Sequence, residues 1–489
     1  MNDDLPPAGP PRGGPPQRGD LTPNSGSAPL RGDLTRGPIF KTLALFSLPV
    51  LLGNVLQSLN ASVNTVWIGR LLGEDALAAT SSSNIVMFLV FAAIFGISMA
   101  TTIHVGMYFG ARNLEQMRKS FGAGLGLCVM LSAAIALIGW IFAPDLLNLL
   151  NLPGTSRHFA LDYLRVIFLV LPGMTLSVLV SSAMRGCGDS RTPLYFQILT
   201  VILDIGLNPL FIAGIGPFPK LGIVGAAVAT AIATLTGLSG LMAWIYWRDL
   251  PIRLKGRELA FLWPAREELK YLVMKGVPMG LQMLVISGAG VIMIGLINKE
   301  GIDYAAGYGA LLQLWNYIQM PGLAISAAVG AMVAQHIGAR REARVDKISW
   351  SGAGANIAIT LALVALMLVF GRPLLTLFLG SDSLAIPVSL HIQNLAIWTY
   401  IPFGVTIVLF GTLRSYGAVL IQIAILFTAM YGVRLGAYAL LYPRLGPDAL
   451  WWSLNISSLA TLALTLLAYF YGNWRSVMRD RIAIEMQPA

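Results

Sequence analysis

Charge is scarce in this chain: Asp, Glu, Lys and Arg make up 11% of its 489 residues, where a soluble domain carries about a quarter. That scarcity excludes a water-soluble fold of ordinary composition. Cysteine is scarcer still. Cys128 and Cys187 are too few for a disulfide framework or a thiolate metal cluster. There are four histidines, and no group of them has a zinc-ligand spacing. His158 and Asp162, at i and i+4, form no more than a pair at a span entrance. There is no phosphate-binding loop and no nucleophile motif, so the chain is not expected to hydrolyse ATP or to act as an enzyme.

What remains is apolar. Hydrophobic residues make up 56% of the chain, in runs of about 20, the length that crosses a bilayer core. The runs predict membrane-spanning helices at 42–66, 84–109, 120–142, 161–184, 193–215, 223–247, 271–297, 305–335, 350–370, 387–413, 418–442 and 450–472. Membrane barrels alternate apolar and polar residues over about ten positions, and these runs do not. The predicted class is therefore all-α and integral to a membrane.

The net charge of +10 raises the question of a nucleic-acid partner, and the placement of the charges answers it. With the N-terminus inside, 24 of the 33 Lys and Arg fall in cytoplasmic segments. Six (Arg70, Arg157, Lys220, Lys299, Arg372, Arg444) fall in loops on the other side. This asymmetry predicts a multi-pass membrane protein with both termini cytoplasmic, in contact with membrane lipid and not with nucleic acid. Residues 1–38 are rich in Pro and Gly, repeat RGDLT at 18–22 and 31–35, and read as a disordered cytoplasmic tail. The expected organisation is an N-lobe at 39–250, a linker at 251–267, a C-lobe at 268–475 and a tail at 476–489.

The two lobes are suggested by an internal repeat. Residues 73–112 align on 301–340 without a gap and share ten of 40 residues. At nearly the same offset, Pro49 meets Pro278, Pro172 meets Pro402 and Arg185 meets Arg414. A unit with an even number of spans re-enters from the same side, so the copies are parallel, with substrate expected between them near the midplane.

The polar residues within the spans carry the chemistry. Asp204 is the carboxylate nearest the centre of any span, and such a group is retained at a cost that usually marks function. Gln197, Thr200, Asp204 and Asn208 lie on one helix face, followed by Pro209. A second stripe on the first span comprises Asn54, Gln57, Asn60 and Asn64. One carboxylate among amide and hydroxyl oxygens suits a proton or Na⁺; a purely structural Asp204 is the competing reading. Arg434 stands opposite it at an offset of 230. The second half otherwise offers amides, methionines and aromatics. Gln57, Asn60, Gln282, Met283, Gln313 and Trp315 are the expected lining of a substrate cavity, with ordinary helix packing the competing reading for any single one of the second-half residues.

DLTRGPIFKTLALFSLPVLLGNVLQ (33–57), VNTVWIGRLLGEDALAA (63–79), MRGCGDSRTP (184–193), LNPLFIAGIG (207–216) and GIVGAAVAT (222–230) together resemble the multidrug and toxic compound extrusion (MATE) family. The resemblance spans 33 to about 475. It implies a V-shaped fold of two six-helix lobes, with no cofactor, that exports small organic, cationic compounds as a monomer in exchange for H⁺ or Na⁺. It also implies an N-lobe cation site formed by an Asp in the first span, an Asn and an Asp one turn apart in the fifth, and a Thr in the sixth. Asn64, Asp204, Asn208 and Thr230 stand there. The first-span acid is missing and the fifth-span pair is reversed, so one carboxylate replaces two, which favours H⁺ over Na⁺. An acid found in the seventh span of some members is replaced by Ile286 and Ser287. A flippase for lipid-linked saccharides is the alternative in the same superfamily. It would need several buried cations to hold a pyrophosphate.

Overall fold

The computed structural model describes residues 32–149, 154–380 and 383–475. It contains twelve helices long and apolar enough to cross a membrane. In the first half these are α1 (Ile39–Leu72), α2 (Glu74–Gly110), α3 (Leu114–Leu149), α4 (Gly154–Gly186), α5 (Arg191–Ala213) and α6 (Ile223–Trp247). In the second they are α7 (Arg266–Ile297), α8 (Ile302–Gly338), α9 (Val345–Leu379), α10 (Ala385–Ser415), α11 (Val419–Leu445) and α12 (Asp448–Tyr471). Each coincides with one predicted span; most run several residues beyond it, while α5 ends two residues short of the predicted 215. A 3₁₀ turn at Ile397–Thr399 interrupts α10, and a π-helical turn at Thr428–Val433 interrupts α11. No strand is present among the described residues.

The repeat is visible in the backbone. Gly73 and Gly301, which open α2 and α8, both have positive φ, at 85° and 119°. Arg112 and Arg340, which follow the same two helices, have φ of 60° and 54°, a conformation that non-glycine side chains rarely adopt. Gly188 and Gly417 match in the same way, at 80° and 74°. Two copies of one chain path therefore carry the same rare turns at the same offset.

Within the first lobe, α5 packs between α1 and α6, while α4 contacts α2, α3 and α6. In the second lobe, α8 packs on α9 and α10, and α11 lies against α7 and α12. The lobes meet where α2 contacts α7 and α8, and where α1 contacts α8. Small residues allow that approach, because in lipid the packing of backbones replaces the hydrophobic drive. A Cβ added to Gly96 would collide with the Gly276 carbonyl, and one on Gly338 with the Met107 carbonyl.

The segment before α1 is also placed. Residues 32–37, assigned by composition to the tail, are docked across both lobes, with Leu34 and Thr35 buried. Gln335 accepts from the Leu34 N–H at 2.9 Å and donates to the Gly186 carbonyl at 2.9 Å. Arg344 donates to the Thr35 carbonyl at 2.9 Å and to the Gly37 carbonyl at 2.8 Å. The upstream RGDLT copy lies outside the described residues, as does the tail at 476–489. The linker is likewise held. Its 3₁₀ segment Gly256–Leu262 lies on α3, where Arg118 bonds Glu258 at 2.9 Å and the Pro251 carbonyl at 2.9 Å. Burial pushes the Glu258 carboxyl up, but the Lys255 N–H and the Arg118 guanidinium outweigh it and hold the group below its ordinary value.

Candidate functional site: a buried carboxylate between α1, α5 and α6

Helical spacing assembles the site. Asp204 and Asn208 are one turn apart on α5, Asn60 and Asn64 one turn apart on α1, and α6 brings in Thr230. Asp204 is 1% exposed and Asn208 fully buried. The Asp204 Oδ2 accepts from Asn60 Nδ2 at 2.7 Å and from Asn64 Nδ2 at 2.8 Å. The Oδ1 accepts from Asn208 Nδ2 at 3.0 Å and from Thr230 Oγ1 at 2.9 Å. Asn208 also bonds Asn64 Oδ1 at 3.1 Å and the Asp204 carbonyl at 2.8 Å. One turn or two away, Gln197 of α5 donates to the Gly53 carbonyl of α1 at 2.9 Å. The carboxylate is thus the tie between α1 and α5.

Four donors meet the acceptor capacity of one carboxylate, and all four are neutral. Among the described residues no Lys, Arg or His forms an ion pair with Asp204. The carboxyl group therefore lies near mid-span without a fixed counter-charge among the described residues. Two amide oxygens beside it, Asn60 Oδ1 and Asn208 Oδ1, are buried without a hydrogen-bond partner. With the carboxylate, Asn64 Oδ1 and Thr230 Oγ1 they make an all-oxygen donor set, which suits a proton or a hard cation. Among the described residues there is no cluster of three or more His, Cys, Asp or Glu able to hold a metal.

The structure brings Asn64, Asp204, Asn208 and Thr230 together, and adds to them Asn60, which the sequence placed in the cavity wall. Tyr163 of α4 joins from outside the sequence reading, within electrostatic reach of Asp204. No signal in the sequence marked it, since which face of α4 meets α5 is a tertiary fact. Gln57 is exposed on α1. Gln282 is buried and Met283 half-buried on α7, and Gln313 is exposed on α8. None of these four shares a hydrogen bond with the carboxylate. Trp315 is 2% exposed, with its ring 6.1 Å from that of Tyr308 and 5.6 Å from that of Tyr400. It is part of the interior of the second lobe and presents almost no surface to a ligand.

The MatE family profile matches residues 49–210 and 278–437, one segment in each lobe. The chain belongs to the MATE family. It is 32% identical over 445 residues to the "Probable multidrug resistance protein YoeA" of Bacillus subtilis, covering 91% of this chain and 95% of that one. It is 25% identical over 451 residues to the "Probable multidrug resistance protein NorM" of Thermotoga maritima, covering 91% and 96%. Its fold superposes with a TM-score of 0.83 on an outward-facing structure of "a multidrug resistance MATE family transporter of the MOP superfamily", at 21% identity and with 94% and 99% of the chains covered. The chain is thus a multi-pass membrane protein with the two-lobe, V-shaped architecture of MATE transporters, and the twelve spans have their places in it.

Proposed function

We propose that this MATE protein exports amphiphilic, cationic organic compounds by alternating access, in exchange for a proton taken up at Asp204. One observation carries the reading: a carboxylate near mid-span, 1% exposed, held by four neutral donors and, among the described residues, by no cation. Such a site gains from a monovalent positive charge, and its only carboxylate matches one proton per cycle.

Protonation of Oδ2 would turn it into a donor facing the Nδ2 donors of Asn60 and Asn64. One of the two must then turn away, and Asn60, whose Oδ1 has no partner, can rotate its amide to accept. The tie between α1 and α5 weakens, and α1, which contains Pro49, or α5, which contains Pro209, can bend. Coupling requires that proton and substrate favour different arrangements of the lobes. The membrane is proposed to be a bacterial inner membrane with both termini cytoplasmic, and the transporter a monomer.

Na⁺ exchange is the second reading, supported by the two unpartnered amide oxygens. Ethidium transport by proteoliposomes under an imposed H⁺ or Na⁺ gradient separates the two. Proton coupling predicts efflux driven by ΔpH with Na⁺ absent. Efflux driven by Na⁺ alone would overturn it.

A further inference from the structure

The second lobe holds a charge of opposite sign at the equivalent depth. Asp204 lies two residues past the middle of the Arg191–Ala213 span, and Arg434 two residues past the middle of the Val419–Leu445 span. Arg434 is 9% exposed. Its one hydrogen-bond partner among the described residues is Ser457 of α12, reached from Nε at 3.0 Å. A guanidinium has five N–H donors, so four remain.

No ion pair among the described residues includes Arg434, and the titratable groups that feel its charge are the hydroxyls of Tyr308, Tyr400 and Tyr431. Among the described residues no carboxylate pairs with it. A buried guanidinium at this depth is costly without a counter-charge. Snorkelling does not relieve that cost, because the side chain is enclosed.

The backbone and the packing around Arg434 are those of a built site. The π-helical turn Thr428–Val433 ends at the residue before it, and such turns recur at functional positions because they redirect the next side chain. Arg434 borders a cavity between α7, α11 and α12, lined also by Ala289, Met293, Leu296, Met430, Tyr438 and Ser453. The cavity holds about 10 Å³, the lower limit for a single water-sized species. Water would meet the spare N–H groups but leave the charge. A phosphate or pyrophosphate is too large for the space. A weakly hydrated monatomic anion, only slightly wider than water, is the smallest species that answers the charge and suits a wall of methyl and thioether groups with hydroxyls.

We propose that α7, α11 and α12 form a binding site for a small monovalent anion of the halide class, anchored by Arg434. The second lobe would then bind an anion where the first binds a cation, and the two sites would operate on separate ligands. This inference does not depend on what Asp204 binds.

The test uses the full chain in lipid nanodiscs. Its thermal unfolding is followed while gluconate is replaced by chloride or bromide at constant ionic strength and constant cation. A saturable rise of Tm is expected for the wild type, lost in Arg434→Gln, several-fold weaker in halide affinity in Ser457→Ala, and retained in Asp204→Asn. A wild-type Tm that ignores the anion, or a halide response that survives in Arg434→Gln, would overturn the proposal. If Arg434→Gln fails to fold, crystals of the wild type in bromide decide. Anomalous density beside Arg434 supports the site, and water there at saturating bromide overturns it.

Discussion

Replacing Gly96 by alanine tests whether the contact between the lobes is one state of a moving machine. The added Cβ would overlap the Gly276 carbonyl and lie 2.6 Å from the Gly280 nitrogen. Both are backbone atoms, so no side-chain rotation relieves the clash, and α2 must move away from α7. Overpacking of this kind costs about 1–3 kcal/mol. In a two-state transporter that cost falls on this conformation and leaves the separated one untouched. The population ratio should therefore shift by roughly five- to 150-fold at an RT of about 0.59 kcal/mol. Spin labels at Glu115 and Lys347, exposed positions just past the neighbouring ends of α2 and α8, report the separation through their distance distribution. The expected result is a new, longer distance in Gly96→Ala and a reduced efflux rate. Gly290→Ala, whose Cβ would meet nothing within 4 Å, should behave as wild type. A Gly96→Ala protein with wild-type distances and wild-type efflux would refute the reasoning.

Other perturbations separate the roles of individual residues. Asn60→Leu removes a 2.7 Å donor from Asp204, a bond to a charged group worth about 1.5–3 kcal/mol, and should lower gradient-driven efflux at least tenfold; unchanged initial rates in vesicles would count against Asn60 as a ligand of the carboxylate. Trp315→Ala empties a packed interior position and should cost about 3–5 kcal/mol, seen as a lower Tm with an unchanged ranking of substrates; a changed ranking at unchanged Tm would return Trp315 to a cavity wall. Arg344→Ala removes the bonds to the Thr35 and Gly37 carbonyls, so trypsin should cut after Arg36 sooner than in wild type, and equal cleavage rates would show that the strap is held by other means. For the linker, Glu258 is held below its ordinary 4.5 in the folded protein. Its contribution is therefore present above pH 4.5 and lost as pH falls through the lower folded value. Hydrogen exchange of residues 251–262 should accelerate only below about pH 4.5, and in Glu258→Gln that acid-induced step should disappear.

Much of the architecture was legible because lipid leaves a chain few options. Twelve apolar runs imply twelve helices, and the gapless match of 73–112 on 301–340 implied the two lobes before the paired turns at Arg112 and Arg340 showed them in φ. The carboxylate site was partly legible, because Asp204 with Asn208 and Asn60 with Asn64 fall at helical spacing on polar stripes. Spacing gives the face of a helix but not the helix that it meets. Hence Thr230 entered only through resemblance, Tyr163 was missed, and Asn60 was assigned to the cavity. Trp315 was misread for a related reason, since a tryptophan on a membrane helix serves packing and binding equally well. The docking of residues 32–37 was hidden because its anchors are backbone groups, the Leu34 N–H and the Thr35 and Gly37 carbonyls, which composition does not report.

The central claim is that Asp204 carries the coupling charge. The most direct measurement is ethidium efflux from proteoliposomes under an imposed ΔpH, comparing wild type with Asp204→Asn at equal reconstituted amounts. Asparagine preserves the size of the side chain and accepts hydrogen bonds, but it cannot take up a proton. The account predicts that ΔpH no longer drives efflux in the variant while ethidium still binds it. Efflux by Asp204→Asn at the wild-type rate, with the wild-type dependence on ΔpH, would contradict the account.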